Sequence, residues 1–536
     1  MGNVYLLDCT LRDGGYVNDW LFGHDTLTSV FERLVSAGVD VIEIGFLDAR
    51  RPFDGNRSIM PDTESVNRIF GGMDKGRATV VGMIDYGACP IENIQPCEES
   101  YLDGIRVIFK KHLMREALAF CAEVKAKGYK VFTQAVSITS YDDRELMELA
   151  GLVNAVQPFA VAMVDTYGLL HQSNLMHIFE VLDAHLDENI CMAYHAHNNF
   201  QLGYANGIEI VNTGVARDLL IDGSLYGMGK SAGNAPVELL AMYLNEHFDK
   251  RYDVSQLLEA IEINILDIHR KTPWGYSFFY FVAAANGCHP NYVSRLMEKR
   301  TLSIKSITEI LQRIPGESKL LYDQKLLERM YLDYQRRACD DAAALASLRG
   351  LLCGRDVLVL GPGPSIVKNE AKIAAYIRAH RPVVFAVNFL PGAFEADVNY
   401  VFLTNAKRYA QMASALAQHE AHVTLVATSN VTKTHGAFPY TLNYSALIDP
   451  ETDIPDNSLI MLLRALRSVG AKSAALAGFD GYRSDEMNYY RTNIEYDFAK
   501  DKAGYLNGYV RDYLRSTADA LPVLFVTDSM YCRKEA

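Results

Sequence analysis

The chain has 536 residues, 49% hydrophobic and 22% charged, with a formal net charge of −13. This is too long for one ordinary domain, and the composition is that of a globular, core-forming protein. The negative balance argues against nonspecific nucleic-acid or anionic-membrane binding.

No apolar run approaches the roughly 20 residues that a bilayer span needs. The N-terminus enters a strand-like run without a basic, cleavable leader. Nine cysteines are scattered without CxxC pairs, which fits reduced thiols and a cytoplasmic location. Apolar β-rich runs predict strands at 4–8, 39–45, 78–84, 104–108, 130–135, 160–164, 190–195 and 219–222. Helical patterns lie between them at 24–37, 112–127, 142–156, 173–187 and 201–213. Eight β/α repeats in roughly 250 residues are the arithmetic of a closed parallel (β/α)8 TIM barrel, whose chemistry sits at the C-terminal strand ends.

Candidate residues fall at those ends. Arg12 and Asp13 follow the first strand, and Glu43 lies late in the second. Asp165 follows the sixth, His195 and His197 end the seventh, and Asp222 ends the eighth. In a strand, residues 195 and 197 share a face. Two imidazoles and a carboxylate can hold a divalent metal and leave positions open for substrate. The alternative is a pair of ordinary core or surface histidines. Cys9 and Cys191 read as packing residues on the opposite side.

Residues 255–345 read as mainly helical, broken at 272–276 and followed by an aromatic stretch at 278–281 that reads as packing. A helical linker at about 325–349 closes this part. A second α/β pattern has strand-like runs at 356–360, 383–387, 399–403, 422–427, 473–477 and 522–526. Its first strand leads into Gly361-Pro362-Gly363-Pro364-Ser365. Such a loop can present backbone N–H groups to a phosphate, or be a tight turn and nothing more. The expected organisation is a barrel at 1–250, a helical extension at 251–350 and a Rossmann-like, doubly wound α/β domain at 351–536.

Four segments carry a resemblance: Thr10-Leu11-Arg12-Asp13-Gly14, Ile42-Glu43-Ile44-Gly45, Tyr194-His195-Ala196-His197-Asn198, and the glycine-rich run from Asp222 to Ala235. Together they resemble the metal-dependent aldolase and lyase superfamily of 4-hydroxy-2-oxovalerate aldolase, HMG-CoA lyase and isopropylmalate synthase. The glycine-rich run is most similar to the first. The resemblance implies that Asp13, His195 and His197 bind the metal, with Asn234 completing the set. One carboxylate, two imidazoles and open positions for a bidentate 2-oxo acid suit an octahedral ion, Mn²⁺ or Mg²⁺ ahead of Zn²⁺. Arg12 matches the arginine that steadies an enolate oxygen, and Glu43 would orient Arg12 or a ligand. The implied reaction joins or cleaves a pyruvate-type 2-oxo acid enolate and an aldehyde, with a sugar-derived aldehyde as a candidate acceptor.

Two positions depart from that pattern. Tyr16 stands where the aldolases have their proton-transfer histidine, and His289 falls where they have a tyrosine. The expectation is that the two residue types have exchanged places. Two other functions stay open. One is a Claisen-type reaction on an acyl-CoA, with Lys110 and Lys111 as basic contacts. The other is an inactive barrel carrying a C-terminal nucleotide module. The C-terminal part resembles Rossmann-like domains of bacterial sialyltransferases and archaeal pterin-diphosphokinase-like proteins. That implies a nucleotide or nucleotide-sugar at Gly361, Gly363, Ser365, Asn388 and Asp480. His435 is available there as a base, and the tyrosines of 482–513 read as helix packing. A homo-oligomer without nucleic-acid or membrane partners is expected.

Overall fold

The computed structural model describes residues 2–299, 302, 304–335, 339–418, 422–432, 438–449, 452, 454–491 and 497–532. The chain divides into two compact units, Met1–Pro290 and Asn291–Ala536. His435 lies outside the described residues.

The first unit is a parallel barrel of β1 (Val4–Asp8), β2 (Val41–Leu47), β4 (Thr79–Asp85), β5 (Gly104–Phe109), β6 (Lys130–Val136), β7 (Ala160–Asp165), β8 (Cys191–Ala196) and β9 (Leu219–Gly223). It closes because β1 pairs with both β2 and β9. Each strand lies within two residues of its expected bounds. The two-residue β3 (Ile59–Met60) joins β2 and falls outside the expected set. So do the barrel helices Thr63–Phe70 and Val237–His247. The first of these is short, and Asp62 caps it by accepting from the Ser65 N–H.

Strand periodicity sorts the barrel interior into layers. Val41, Phe132, Ala162 and Leu220 belong to an apolar interior cluster. Two residues further along three of these strands come Glu43, Gln134 and Asp222, which share that face, while Val164 keeps the fourth apolar. An apolar floor thus gives way to polar side chains near the C-terminal strand ends. On the other face, Ile42, Ile44, Val80, Ile105 and Val107 pack with Leu27, Phe31 and Leu182 from the helices. Burying each such side chain contributes roughly 1.5–3 kcal/mol. The aromatic stretch is a helix, Phe278–Ala285, that buries Val282–Ala284, whereas Phe278 and Phe281 are 48% and 41% exposed. Its aromatic rings are therefore not core packing as a set.

The second unit holds a seven-stranded parallel sheet of order β14-β13-β12-β11-β10-β15-β16. The strands are β10 (Asp356–Leu360), β11 (Val383–Val387), β12 (Tyr400–Leu403), β13 (Thr424–Thr428), β14 (Tyr440–Leu442), β15 (Ser473–Ala477) and β16 (Val523–Phe525). β14 is absent from the expected pattern. The chain winds from β10 out to β14, then returns to the other side of β10. This places a topological switch point between β10 and β15, where doubly wound sheets bind ligands. At that point the loops pack backbone to backbone. Gly478 has φ +74°, and a Cβ there would lie 2.1 Å from the Gly361 carbonyl oxygen. Among the described residues, no helix is long and apolar enough to cross a membrane.

Candidate active site

The chain leaves β1 through a single helical turn, α1 (Thr10–Asp13). The Asp8 carboxylate accepts from the Thr10 N–H (2.9 Å) and Oγ1 (2.8 Å), and Thr10 Oγ1 accepts from the Leu225 N–H (2.7 Å). These bonds fold the turn over the barrel end and bury Arg12 and Asp13.

Arg12 Nε donates to Glu43 Oε2 (2.7 Å) and Nη1 to Asp13 Oδ1 (2.6 Å). Glu43 owes its position to an irregular stretch of β2, whose register with β4 shifts between Glu43 and Phe46. Gly45 lies in that stretch with φ +148°, and a Cβ on it would come 1.9 Å from the Ser58 carbonyl oxygen. Ser58 Oγ in turn donates to the Leu11 carbonyl at 2.6 Å. Opposite, Arg106 Nη1 lies 2.9 Å from Glu43 Oε2, and Nη2 donates to Gln134 Oε1 (2.9 Å) and to Asp222 Oδ2. Asp222 Oδ2 is 3.0 Å from His195 Nδ1. A continuous buried chain therefore runs Arg12–Glu43–Arg106–Asp222–His195. Because a carboxylate only accepts, its last link places a proton on Nδ1 of the imidazole.

His197 follows β8. Its residue forms an antiparallel bridge with Asn234, and Asn234 Nδ2 donates to Asp13 Oδ2 at 2.8 Å. Asn234 Nδ2 also lies 3.7 Å from Cys9 Sγ. Cys9 and Cys191 both pack in the apolar interior cluster, as expected. Neither faces away from the site: Cys9 touches it because it stands at the start of α1, and Cys191 lies on the same strand face as His195.

Ligand atoms of Asp13, His195 and His197 lie within 4.8 Å of one another. His197 Nδ1 and Asn234 Oδ1 are buried with no hydrogen-bond partner. Burial lowers His197 to about 3 against the pull of Asp13, so its imidazole is neutral at pH 7. Burial pushes the Asp13 carboxyl up, but Arg12, His197 and His195 outweigh it and hold the group well below the usual carboxylate range. An anionic carboxylate, imidazole lone pairs and an orphaned amide oxygen, gathered in one pocket, fit a divalent cation.

Tyr16, His289 and Lys230 gather at the open end. The Tyr16 ring packs edge-on against Trp20 (4.8 Å) and Phe46 (6.1 Å). Although 44% of the residue is exposed, burial and then the Asp13 charge push its hydroxyl up to about 12. His289 meets Tyr167 edge-on at 6.0 Å. Burial, then the Lys230 ammonium, lower its imidazole to about 4. Arg106, Gln134 and Lys230 escaped sequence reasoning. The signal for Arg106 was available: a lone charge inside the apolar run Gly104–Phe109.

In the second unit the glycine loop's donors are already bonded. The Gly361 N–H donates to the Ala477 carbonyl and the Gly363 N–H to the Gly478 carbonyl, both at 2.8 Å. The Ser365 N–H donates to Asp480 Oδ2 at 2.8 Å and its Oγ to Oδ1. Asn388, at φ +57°, donates to Thr404 Oγ1 (2.9 Å) and Ser458 Oγ (2.8 Å). Gly363, Asn388 and Asp480 line a cleft of about 990 Å³ with Arg408 and Tyr482, whereas Gly361 and Ser365 do not.

Residues 3–263 match the HMGL-like family. The barrel belongs to that family. The HMGL-like barrel is 26% identical over 268 residues to 4-hydroxy-2-oxovalerate aldolase 2 of Salinispora arenicola, covering 48% of this chain and 74% of the relative. It is 24% identical over 278 residues to oxaloacetate decarboxylase of Mycobacterium tuberculosis, covering 51% and 81%. Homocitrate synthase of Sulfolobus acidocaldarius is 27% identical over 276 residues, covering 48% and 56%. HMGL-like enzymes depend on a divalent metal, and this barrel is a metal-dependent carbon–carbon lyase or synthase. An aldolase, a decarboxylase and a synthase share the match, so it does not single out one reaction.

Proposed function

We propose that the HMGL-like barrel is an aldolase that forms or cleaves the bond between a pyruvate-type enolate and an aldehyde. The observation that carries this reading is the Asp13–His195–His197 cluster with the Arg12 guanidinium locked beside it. A Mn²⁺ or Mg²⁺ ion held by these three residues, with Asn234 alongside, would supply Lewis acidity to a 2-oxo acid.

The protein's own groups do the rest. Arg12 is a fixed cation: burial opposes its charge, but Glu43 and Asp13 more than restore it. Its fork places donors where negative charge develops on the enolate oxygen. In the synthetic direction a methyl proton leaves pyruvate, its carbon bonds to the aldehyde carbon, and the aldehyde oxygen takes up a proton. His289, neutral above about pH 4, serves as the base. Tyr16 keeps its proton at working pH and serves as a hydrogen-bond donor. An acyl-CoA reaction would have to rely on Lys110, since Lys111 is engaged with Glu145 at 2.9 Å and with the Ser140 carbonyl. Exchange of pyruvate methyl protons with deuterium, followed by NMR, tests the enolate step without knowing the aldehyde. The reading predicts exchange that needs added Mn²⁺ or Mg²⁺ and stops with a chelator. No exchange with either ion would sink it.

For the second unit, the cleft at the switch point supports binding of a nucleotide or nucleotide-sugar. Its volume is at the upper end for small-molecule sites. Arg408, only 6% exposed, and Tyr482 offer contacts for an anion and a ring. Because the glycine loop's N–H groups are bonded internally, Arg408 takes the phosphate role in this reading. Calorimetry of the full chain against UDP, CMP, ADP, GDP and UDP-glucose decides. Flat titrations throughout would leave the loop a structural turn.

A further inference from the structure

Lys230 has no role in the chemistry above, yet its surroundings are unusual for a lysine. Most lysines keep the ammonium in water. Lys230 is half-buried in the loop after β9, its backbone N–H donates to Asp13 Oδ2 at 3.2 Å, and its Nζ stands 5.3 Å from the Tyr16 ring centroid. Among the described residues, no carboxylate lies within ion-pair distance of that Nζ. Asp13 and Asp85 act on it only through longer-range attraction. Its charge also reaches His289. The ammonium therefore lies between the buried Arg12–Asp13–histidine cluster and the exposed rim marked by Tyr16.

A partly desolvated charge with no carboxylate at ion-pair distance costs free energy, which the Tyr16 ring face offsets only in part. An anion arriving from the open end offsets that cost, and a neutral molecule does not. The inner cluster accounts for the 2-oxo acid, so the molecule that meets Lys230, Tyr16 and His289 is the second substrate. We propose that Lys230 is a specificity-determining residue that selects an aldehyde bearing its own anionic group, a carboxylate or a phosphate. This rests on the aldolase reading. It narrows the acceptor to a charged class and predicts rejection of simple alkanals. Lysine suits the task because its ammonium is a compact point charge with three donors and does not impose a bidentate geometry.

The test uses the full chain with Mn²⁺ and pyruvate, and compares kcat/KM for four aldehydes. Succinic semialdehyde carries a carboxylate and D-glyceraldehyde 3-phosphate a phosphate, whereas propanal and D-glyceraldehyde are neutral. The expected result is at least a ten-fold preference of the wild type for a charged aldehyde. Lys230→Met should shrink that preference at least ten-fold, mainly through KM, and Lys230→Arg should restore part of it. Whichever charged aldehyde shows the larger effect identifies the anion. A wild type that favours neutral aldehydes overturns the inference. So does a Lys230→Met variant that loses activity equally with all four. Pyruvate exchange separates the two failures: exchange with a flat aldehyde preference rejects only the role of Lys230, whereas no exchange rejects the aldolase reading and this inference with it.

Discussion

Arg12 meets its neighbours as a fork, with Nε on Glu43 and Nη1 on Asp13. A lysine could hold one of these partners but not both. Arg12→Lys is expected to fold and to lose pyruvate exchange by about 10²-fold or more, as for removal of a key oxyanion donor. Near wild-type exchange in that variant would remove Arg12 from the enolate step. His289→Asn should slow aldol cleavage by about 10²–10⁴-fold while metal affinity, read by titration, stays put. Tyr16→Phe should cost less, because it deletes only a donor. The depressed imidazole gives the pH sign. His289 accepts a proton only near pH 4 when folded, so the acid limb of kcat/KM should lie near 4 and not near the usual 6.5. Since Lys230 helps hold it down, Lys230→Met should move the limb upward. An acid limb that stays unchanged in His289→Asn would deny His289 the role of base. At this scale the motifs made legible which side chains the fold gathers, as at Asp13, His195 and His197. The sequence was least legible where a partner comes from another strand. Arg106 is separated by 116 positions from Asp222, which it contacts, and nothing local to either residue announces the pair.

The element that aims Glu43 is β2, and its geometry depends on Gly45. Any side chain there meets the Ser58 carbonyl and a backbone conformation that favours glycine. Gly45→Ala is therefore expected to destabilise the first unit by about 2–4 kcal/mol, the range for strain plus overpacking. Urea unfolding followed by circular dichroism would measure it. Exchange should fall too, because Glu43 sits two residues away. An unfolding midpoint within error of wild type would show that β2 can relax at no cost. Strands of five to seven residues flanked by turns were legible because a fully buried parallel strand reads as a continuous apolar run. The two-residue β3 was not, since two residues carry no period, and β14 was missed although the equally short β16 was expected. The helix Phe278–Ala285 shows the opposite failure: eight largely apolar residues look like core, yet two of its aromatic rings face out.

At the scale of the whole chain, compactness divides the protein at Pro290. His289 stands at the end of the first unit. We propose that a chain ended after Glu298 retains metal-dependent exchange, whereas one ended at residue 250 loses it along with His289 and the helix Phe278–Ala285. Equal exchange from both truncations would place the base elsewhere. The barrel was legible as a barrel because eight alternations leave few other topologies. The second unit was less so. Its glycine loop stands between a strand and a helix as a phosphate cradle does, but Asp480, 115 residues on, already occupies the Ser365 N–H. A local pattern cannot reveal a partner supplied by a distant loop.

The buried chain across the barrel also has a charge balance. Arg12 and Arg106 face Glu43, Asp13 and Asp222, so two cations stand against three anions in a region closed to water. One negative charge is left over. A divalent ion would reverse that sign, and a singly charged 2-oxo acid would then bring the pocket to electroneutrality. Ion and acid should therefore bind with positive cooperativity, each removing the electrostatic cost of the other. A second anionic group would upset that neutrality again, unless it came to rest on the one ammonium that stands outside the count, Lys230.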